Sequence, residues 1–185
     1  DNPYVELTFD GYVAPSIFEI EGAREVAVEF HSCSKSFAMT GWRLGWAVGN
    51  RELIAALQTV KSYTDTGPFM AIQRAAVDVL DHAEALVGPA VSRFQSRRDA
   101  AVAAFRRAGF DVTPPRATMY LWIPLPEGVA SAEFSRQAME EEGVVTLPGS
   151  AFGASAEGYV RVALTVSEAR LEEAAERMGR VLARA

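Results

Sequence analysis

The most informative part of this chain, for its fold as well as its chemistry, is the segment His31-Ser-Cys-Ser-Lys-Ser-Phe-Ala-Met-Thr-Gly-Trp-Arg43. Its lysine, Lys35, is one of two lysines among 18 basic residues, and the remainder are arginines. An arginine stays protonated in proteins, whereas a shielded lysine amine can lose its proton and form an imine with an aldehyde. The segment therefore indicates imine chemistry at Lys35, and the alternative is a surface lysine without a chemical role.

The residues around this lysine are suited to a bound phosphate. Ser32 and Ser34 offer hydroxyl donors, and Arg43 offers a planar fork of N–H groups that matches phosphate oxygens. Gly41 and Gly45 allow the backbone to pass close to a ligand. An imine-forming amine beside a phosphate site is the combination that pyridoxal phosphate requires, because its aldehyde is captured covalently while its phosphate is anchored.

A known family has a similar segment. The cofactor-lysine motif of the fold-type I, class I/II aminotransferases, which depend on pyridoxal phosphate, resembles Ser32-Cys-Ser-Lys-Ser-Phe-Ala-Met-Thr-Gly-Trp-Arg-Leu-Gly45. Four further segments resemble the same family: Asp1-Asn-Pro-Tyr4, Thr118-Met-Tyr-Leu-Trp122, Leu147-Pro-Gly-Ser-Ala-Phe-Gly153 and Tyr159-Val-Arg-Val-Ala-Leu164. Within the family, the chain is most similar to the LL-diaminopimelate aminotransferases, chiefly over residues 14–32.

The resemblance implies roles for individual residues. Lys35 is implied to be the catalytic residue, which tethers the cofactor and moves the proton of the substrate. The residues implied to bind the cofactor are Asp1 at the pyridine nitrogen, Tyr4 at the ring 3-oxygen, Lys35 at the aldehyde, and Ser32, Ser34 and Arg43 at the phosphate. Arg161 is implied to bind the substrate carboxylate, and no metal is expected.

Arg161 is unusual even without the resemblance. It lies in the apolar run Tyr-Val-Arg-Val-Ala-Leu, where an unpaired charge would be costly. Its partner is either an anion, which we favour, or a carboxylate of the chain itself. The three tryptophans, Trp42, Trp46 and Trp122, are predicted to lie in the core and not to stack on a ligand.

The composition limits the class of protein. With 185 residues, 49% hydrophobic and 23% charged, the sequence is that of a globular protein. A net charge of −6 argues against nucleic-acid binding, which needs a concentrated positive surface. No apolar run has the length of a membrane span, and a single cysteine cannot form an internal disulfide. We therefore expect a cytoplasmic protein without a nucleic-acid or membrane partner.

The hydrophobic pattern predicts an α/β fold with two domains. The predicted elements are strands at residues 25–30, 45–49, 120–123 and 159–164, and helices after Asn50, at 69–82, at about 87–107, after Ser131 and after Ser167. By the resemblance, residues 1–95 are the C-terminal part of the large pyridoxal-phosphate-binding domain, with a mainly parallel sheet. Residues 96–185 are then the small α+β C-terminal domain.

Three functions are compatible with the sequence. The first is an aminotransferase that moves an amino group from a diaminopimelate-like or aspartate/glutamate-like amino acid to a 2-oxo acid through a Schiff base on Lys35, as in lysine biosynthesis. The second is a pyridoxal-phosphate-dependent C–S β-lyase, which needs the same groups. The third is a catalytically incomplete fragment that acts as a structural unit, because the family carries a further N-terminal half with cofactor contacts. We favour the first, and the resemblance also implies a homodimer.

Overall fold

The computed structural model describes residues 1–184, and the chain forms two compact units, Asp1–Val91 (unit 1) and Ser92–Ala185 (unit 2). The helices are α1 (Ala23–Val26), α2 (Cys33–Ser36), α3 (Arg51–Thr64), α4 (Met70–Asp81), α5 (Ala83–Arg107), α6 (Ser131–Glu142) and α7 (Glu168–Leu182). The strands are β1 (Val28–Ser32), β2 (Gly45–Gly49), β3 (Tyr120–Pro124), β4 (Leu147–Pro148) and β5 (Tyr159–Ala163). Short 3-10 helices lie at Ile17–Glu19, Thr40–Trp42, Gly149–Phe152 and Ala154–Ala156.

Unit 1 contains a two-stranded antiparallel sheet. β1 pairs with β2 along its whole length, with Ser32 opposite Gly45. Glycine is required at both ends of β2, because a Cβ on Gly45 would lie 2.6 Å from the backbone oxygen of His31 and one on Gly49 would lie 2.3 Å from that of Ala27. The close approach at Gly45 therefore serves strand pairing and not a ligand.

The antiparallel pairing of β1 and β2 corrects the prediction of a mainly parallel sheet, as far as the described strands of unit 1 are concerned. The reason lies in the connection between them. The Cys33 N–H donates to the Leu44 oxygen at 3.1 Å, and the Met39 N–H donates to the Cys33 oxygen at 3.2 Å. The chain thus returns to the end of β1 that it left, whereas a parallel neighbour needs a crossover to the opposite end.

The helices of unit 1 follow the predicted pattern closely. Asn50 caps α3, because its Oδ1 accepts from the backbone N–H groups of Glu52 and Leu53, each at 2.9 Å. α4 matches the predicted helix at residues 69–82. α5 begins earlier than the predicted residue 87, because helical hydrogen bonding already starts where the Leu86 N–H donates to the His82 oxygen.

Unit 2 is built on the three-stranded antiparallel sheet β3-β5-β4. Side chains alternate along its strands: Leu121, Ile123, Val160 and Val162 are buried, whereas the residues between them lie on the opposite face. The buried face packs with apolar residues of α5, α6 and α7 into one core, including Phe105, Phe134, Leu171, Ala175 and Met178. This core fixes the sheet, whose strand β5 carries Arg161.

The predicted start of α6 after Ser131 and the predicted core position of Trp42 are both wrong. Ser131 is the first residue of α6 and not its cap, and Ala130 occupies the cap position. The Ser131 N–H donates instead to the Glu157 carboxylate at 2.6 Å. Trp42 is 49% exposed and not part of the core, because it ends a 3-10 turn in the connection between β1 and β2.

Two kinds of feature are absent from residues 1–184. No helix there is long and apolar enough to cross a membrane. Those residues also contain no group of three or more His, Cys, Asp or Glu side chains that could hold a metal ion.

Candidate active site

Lys35 lies on the single turn of α2, immediately after β1. The turn begins at Ser32, whose Oγ accepts from the Ser34 N–H at 3.1 Å. Cys33 and Ser36 are buried, so this face of the turn is anchored in unit 1, while Ser34 and Lys35 are half-buried. Burial raises the pKa of the Cys33 thiol, with a smaller effect from the Glu6 carboxylate, so the thiol is less acidic than an exposed one.

The two lysines of the chain have different surroundings. The Lys61 ammonium bonds both carboxylate oxygens of Asp65, at 2.6 and 2.8 Å, on the exposed surface of α3. Lys35 has no carboxylate partner among residues 1–184 and is half-buried. A half-buried lysine whose amine is not taken up by a carboxylate of the described residues is available to react with an aldehyde.

The predicted phosphate-binding residues belong to one hydrogen-bonded loop. The Thr40 hydroxyl donates to the Ser34 oxygen at 2.7 Å, and the Arg43 guanidinium donates to the Thr40 oxygen at 2.8 Å. Arg43 is exposed and pairs with no carboxylate in the described part of the chain. The loop therefore presents unpaired positive charge close to the Ser34 turn, as a phosphate site requires.

Arg43 has an unusual backbone conformation as well. Its φ is +55° and its ψ is 48°, the left-handed region that side chains other than glycine rarely adopt. Ala38, in the same loop, has a φ of +55°. Such strain is concentrated at ligand-binding loops, and two strained residues in the Lys35 loop agree with a binding function for it.

Asp1 and Tyr4 lie on a segment that two hydrogen bonds tie to the Lys35 region. The Asn2 N–H donates to the Phe30 oxygen of β1 at 2.7 Å. The buried Ser36 hydroxyl donates to the Glu6 carboxylate at 2.5 Å. Tyr4 falls between these two attachment points, and Asp1 adjoins the first of them. Asp1 is exposed and lines an open cavity of about 540 Å³, of which Lys35 is not a lining residue.

A buried acid near the site was not predicted. Glu29 is 6% exposed, and its carboxylate accepts from the Ser16 hydroxyl and the Ile17 N–H, both at 2.9 Å. Its other oxygen lies 2.8 Å from Nε2 of His31, and the imidazole of His31 stacks on Trp46 at 5.3 Å. The sequence carried no signal for this burial, because the apolar residues Val26, Val28 and Phe30 alternate with Glu29 and favour an outward position for it. This network rigidifies β1 directly before the Lys35 turn.

Arg161 lies on β5 in unit 2, on the face of the sheet opposite the core. Its guanidinium carbon lies 4.2 Å from the centre of the Tyr120 ring and 4.6 Å from that of the Phe152 ring. No carboxylate of residues 1–184 pairs with Arg161. Of the two partners considered from sequence, an anion and a carboxylate of the chain itself, the second is therefore absent from the described residues. The free N–H edge of the guanidinium suits an external carboxylate.

Trp122 is opposite Arg161 in the pairing of β3 with β5. It is 38% exposed, so the prediction that it belongs to the core is wrong. It stacks on Tyr159 at 5.4 Å and meets the Phe152 ring edge-on at 5.6 Å. The sheet alternation explains this position, because the neighbouring Leu121 takes the inward place.

The donor set of this chain fits pyridoxal phosphate. A half-buried amine without an acidic partner can take the aldehyde, and Arg43 with the Ser32–Ser34 turn can take the phosphate. Asp1 can offer a carboxylate to a ring nitrogen. This donor set is typical of one class of protein, the enzymes that carry this cofactor on a lysine.

Comparison with known proteins identifies the family. The family described as aminotransferase class I and II matches residues 1–178, and the chain belongs to it. The predicted family is thus confirmed, and with it the α/β class and pyridoxal phosphate as the family's cofactor.

Individual relatives agree with this membership. The chain is 47% identical over 178 residues to LL-diaminopimelate aminotransferase 2 of Nostoc sp., covering 96% of this chain and 46% of the relative. It is 44% identical over 182 residues to LL-diaminopimelate aminotransferase of Moorella thermoacetica, covering 98% of this chain and 47% of the relative. The chain therefore spans about half the length of the curated relatives it matches.

Solved structures share the fold. An aromatic aminotransferase from Pyrococcus horikoshii superposes with a TM-score of 0.93 at 32% identity, covering 100% of this chain and 50% of that one. A probable N-succinyldiaminopimelate aminotransferase from Thermus thermophilus gives a TM-score of 0.89 at 38% identity, covering 97% of this chain and 48% of that one. The family and the fold are established by these matches.

Proposed function

We propose that this chain functions as an aminotransferase, which moves an amino group from a diaminopimelate-like amino acid to a 2-oxo acid. The observation that carries the proposal is the half-buried Lys35, which has no acidic partner in the described residues and is held in a closed loop with Arg43. The names of the most similar relatives favour a diaminopimelate-like donor and hence lysine biosynthesis. Aspartate or glutamate is the second donor class.

Lys35 is the proposed catalytic residue. When bound, pyridoxal phosphate supplies an aldehyde that captures amino groups and a ring that withdraws electrons from the substrate α-carbon. The Lys35 amine holds this aldehyde in the resting enzyme. With its amine free, Lys35 would act as the base that takes the proton from the substrate α-carbon and later gives it back. The anchoring of Cys33 and Ser36 keeps the amine in place during this transfer.

The remaining cofactor contacts are proposed for residues of the same unit. The Asp1 carboxylate would hold the pyridine nitrogen in its protonated form, and the Tyr4 hydroxyl would donate to the ring 3-oxygen. Ser32, Ser34 and Arg43 hold the phosphate. The hydrogen bonds from Asn2 to β1 and from Ser36 to Glu6 support this assignment, because they attach the Asp1–Tyr4 segment to the Lys35 turn.

Arg161 is proposed to bind the α-carboxylate of the substrate. Its position between two rings, with no acidic partner in residues 1–184, supports this role. A bidentate carboxylate contact would fix the orientation of the amino acid and thereby select which bond to the α-carbon reacts.

The proposed assembly is a cytoplasmic homodimer. Apolar side chains on α3 and α4 are exposed, among them Val60, Tyr63, Met70 and Val77, and such a surface supports association with a second copy. The single, buried cysteine agrees with a reducing compartment.

An absorbance spectrum with pyridoxal phosphate tests this function. The wild type is expected to develop a band of lysine-bound cofactor that borohydride fixes covalently, and Lys35→Ala is expected to lose both. Lys61→Ala is the matched control and keeps them, because Lys61 is paired with Asp65 on the surface. Covalent fixation that survives in Lys35→Ala refutes the assignment, and a wild-type chain that binds no cofactor favours the structural-fragment alternative. Amino donors are then screened with 2-oxoglutarate as acceptor, and pyruvate released without an acceptor indicates the β-lyase.

A further inference from the structure

The guanidinium of Arg161 contacts two aromatic rings, those of Tyr120 and Phe152. The distances from its central carbon are 4.2 Å to the Tyr120 ring and 4.6 Å to the Phe152 ring. Both lie well inside the range at which an arginine is attracted to an aromatic face. The rings restrict rotation of the planar group, and its N–H edge stays available for an anion.

The sheet register accounts for the first ring. β3 and β5 are antiparallel, with Trp122 opposite Arg161 and Tyr120 opposite Ala163. Tyr120 and Arg161 are therefore diagonal neighbours on the same face of the sheet, close enough for long side chains to touch. Leu121 and Val162, the residues between them on the two strands, are buried in the core. Their burial fixes which face of each strand points outward.

The loop after β4 accounts for the second ring. Phe152 ends the 3-10 helix Gly149–Phe152, and the Ser150 N–H at its centre donates to the buried Ser131 hydroxyl at 3.2 Å. Gly149 is packed so closely that a Cβ there would lie 1.9 Å from the backbone oxygen of Ala156. The loop is thus held rigidly, and the edge of Trp122 supports the Phe152 ring from the side.

We propose that Tyr120 and Phe152 are positioning residues that hold the Arg161 guanidinium in the orientation needed to bind the substrate carboxylate. The proposal rests on the proposed function, in which Arg161 binds that carboxylate. Each ring is expected to contribute about three- to tenfold in substrate affinity, the range of a partly desolvated arginine–aromatic contact. The chemical step is not expected to depend on them, since neither ring acts on the reacting atoms.

Steady-state kinetics of the holoenzyme provide the first test. Phe152→Leu and Tyr120→Leu are expected to raise KM for the amino donor about three- to tenfold while kcat changes less than about twofold. Phe152→Tyr and Tyr120→Phe keep the rings and are expected to behave as the wild type. The matched control is Phe94→Leu, because Phe94 is also a ring beneath an arginine of unit 2, Arg97 at 5.9 Å, and is not one of the two rings at Arg161.

Three kinetic outcomes would overturn the proposal. The first is an unchanged KM in both leucine variants, and the second is an equal rise in KM in Phe94→Leu. The third is the failure of the ring-preserving variants to match the wild type. Each would mean that the aromatic faces do not set the affinity of Arg161 for a carboxylate.

An NMR measurement on the 185-residue chain separates this proposal from the function on which it rests. The Nε–H resonance of Arg161 is expected to be shifted by the two rings, and L-glutamate is the carboxylate probe. Phe152→Leu is expected to remove part of the ring shift and to raise the Kd for glutamate about three- to tenfold. If the holoenzyme transaminates no amino acid, the proposed function fails, while an unchanged ring shift or Kd in Phe152→Leu refutes the positioning role.

Discussion

The charged residues of unit 1 differ in whether their charge is paired within the chain. Glu29 is buried and accepts from three donors, and Lys61 pairs with Asp65. Lys35 and Arg43 have no carboxylate partner in residues 1–184. Paired charges hold the fold, because removal of one partner leaves the other uncompensated. Cations of one loop without a carboxylate partner, by contrast, are available to an anionic ligand.

Glu29→Gln is expected to lower the free energy of unfolding by about 1–3 kcal/mol, because it weakens a buried acceptor of three hydrogen bonds. Urea titration of the wild type and the variant measures the difference. Glu21→Gln is the control, since Glu21 is an exposed residue of the same unit, and its effect is expected to stay within about 0.5 kcal/mol. Equal effects of the two substitutions would contradict a structural role of Glu29.

The same pair of proteins also tests the charge of Glu29. Burial acts to raise the pKa of this carboxyl, but hydrogen bonds from Ile17 and Ser16 and the charge of His31 together hold it below its ordinary value of 4.5. Because the pKa is lower in the folded state, the ionised carboxyl stabilises the fold above pH 4.5 and this contribution is lost as the pH falls through the folded-state pKa. The stability difference between wild type and Glu29→Gln is therefore expected to shrink below pH 4.5. A stability difference that stays constant below pH 4.5 would refute the lowered pKa of Glu29.

At the scale of elements, the position of the Lys35 turn depends on how closely β1 and β2 approach each other. Their pairing brings Ser32 opposite Gly45, and the connection closes through the Cys33–Leu44 hydrogen bond. The turn that carries the lysine is therefore held at both ends by one sheet.

Gly45→Ala is expected to destabilise unit 1 by about 1–3 kcal/mol, because the added Cβ would lie 2.6 Å from the backbone oxygen of His31 and the strands would have to separate. It is also expected to weaken cofactor binding by shifting the Lys35 turn. Thermal unfolding and a pyridoxal phosphate titration measure the two effects. Gly41→Ala is the control in the same connection, since its added Cβ would meet no atom within 4 Å. A variant as stable as this control would contradict the close strand approach.

At the scale of the whole chain, the two units differ in the amount of core they contain. In unit 2 one cluster joins α5, α6, α7 and the three-stranded sheet. In unit 1 the buried cluster around the Lys35 turn consists of Cys33, Met39 and Ala76, and the sheet has two strands. A two-stranded sheet with a small core is marginally stable by itself.

Hydrogen exchange is expected to reflect this difference. Amides of β3 and β5 should exchange more slowly than those of β1 and β2, because opening of unit 2 exposes much more apolar surface. Mass spectrometry after peptic digestion measures both regions in one sample. Phe134→Ala, which truncates a core residue of unit 2, should accelerate exchange in β3 and β5. Equal protection of the two sheets in the wild type would contradict the expectation.

Several features were predictable from sequence because local interactions determine them. The Asn50 cap, the α4 helix and the inward alternation of β5 follow from side-chain chemistry and periodicity within a few residues. The family followed from the spacing around Lys35 and from the four matching segments, and the match over residues 1–178 confirms it. The roles of the individual site residues are still predictions.

Other features depend on residues that are distant in sequence. The antiparallel pairing of β1 with β2 depends on hydrogen bonds that close their connection, and the network of Glu29 needs Ser16 and Ile17 from another segment. The two rings on Arg161 come from β3 and from the loop after β4, and the exposure of Trp122 follows from the face on which β3 places it. Residue type and spacing thus sufficed for the family, its cofactor and most of the helices, because these depend on near neighbours. Strand direction, charge pairing and the surroundings of Arg161 were fixed only by the folded structure, because their partners lie far apart along the chain and meet through packing.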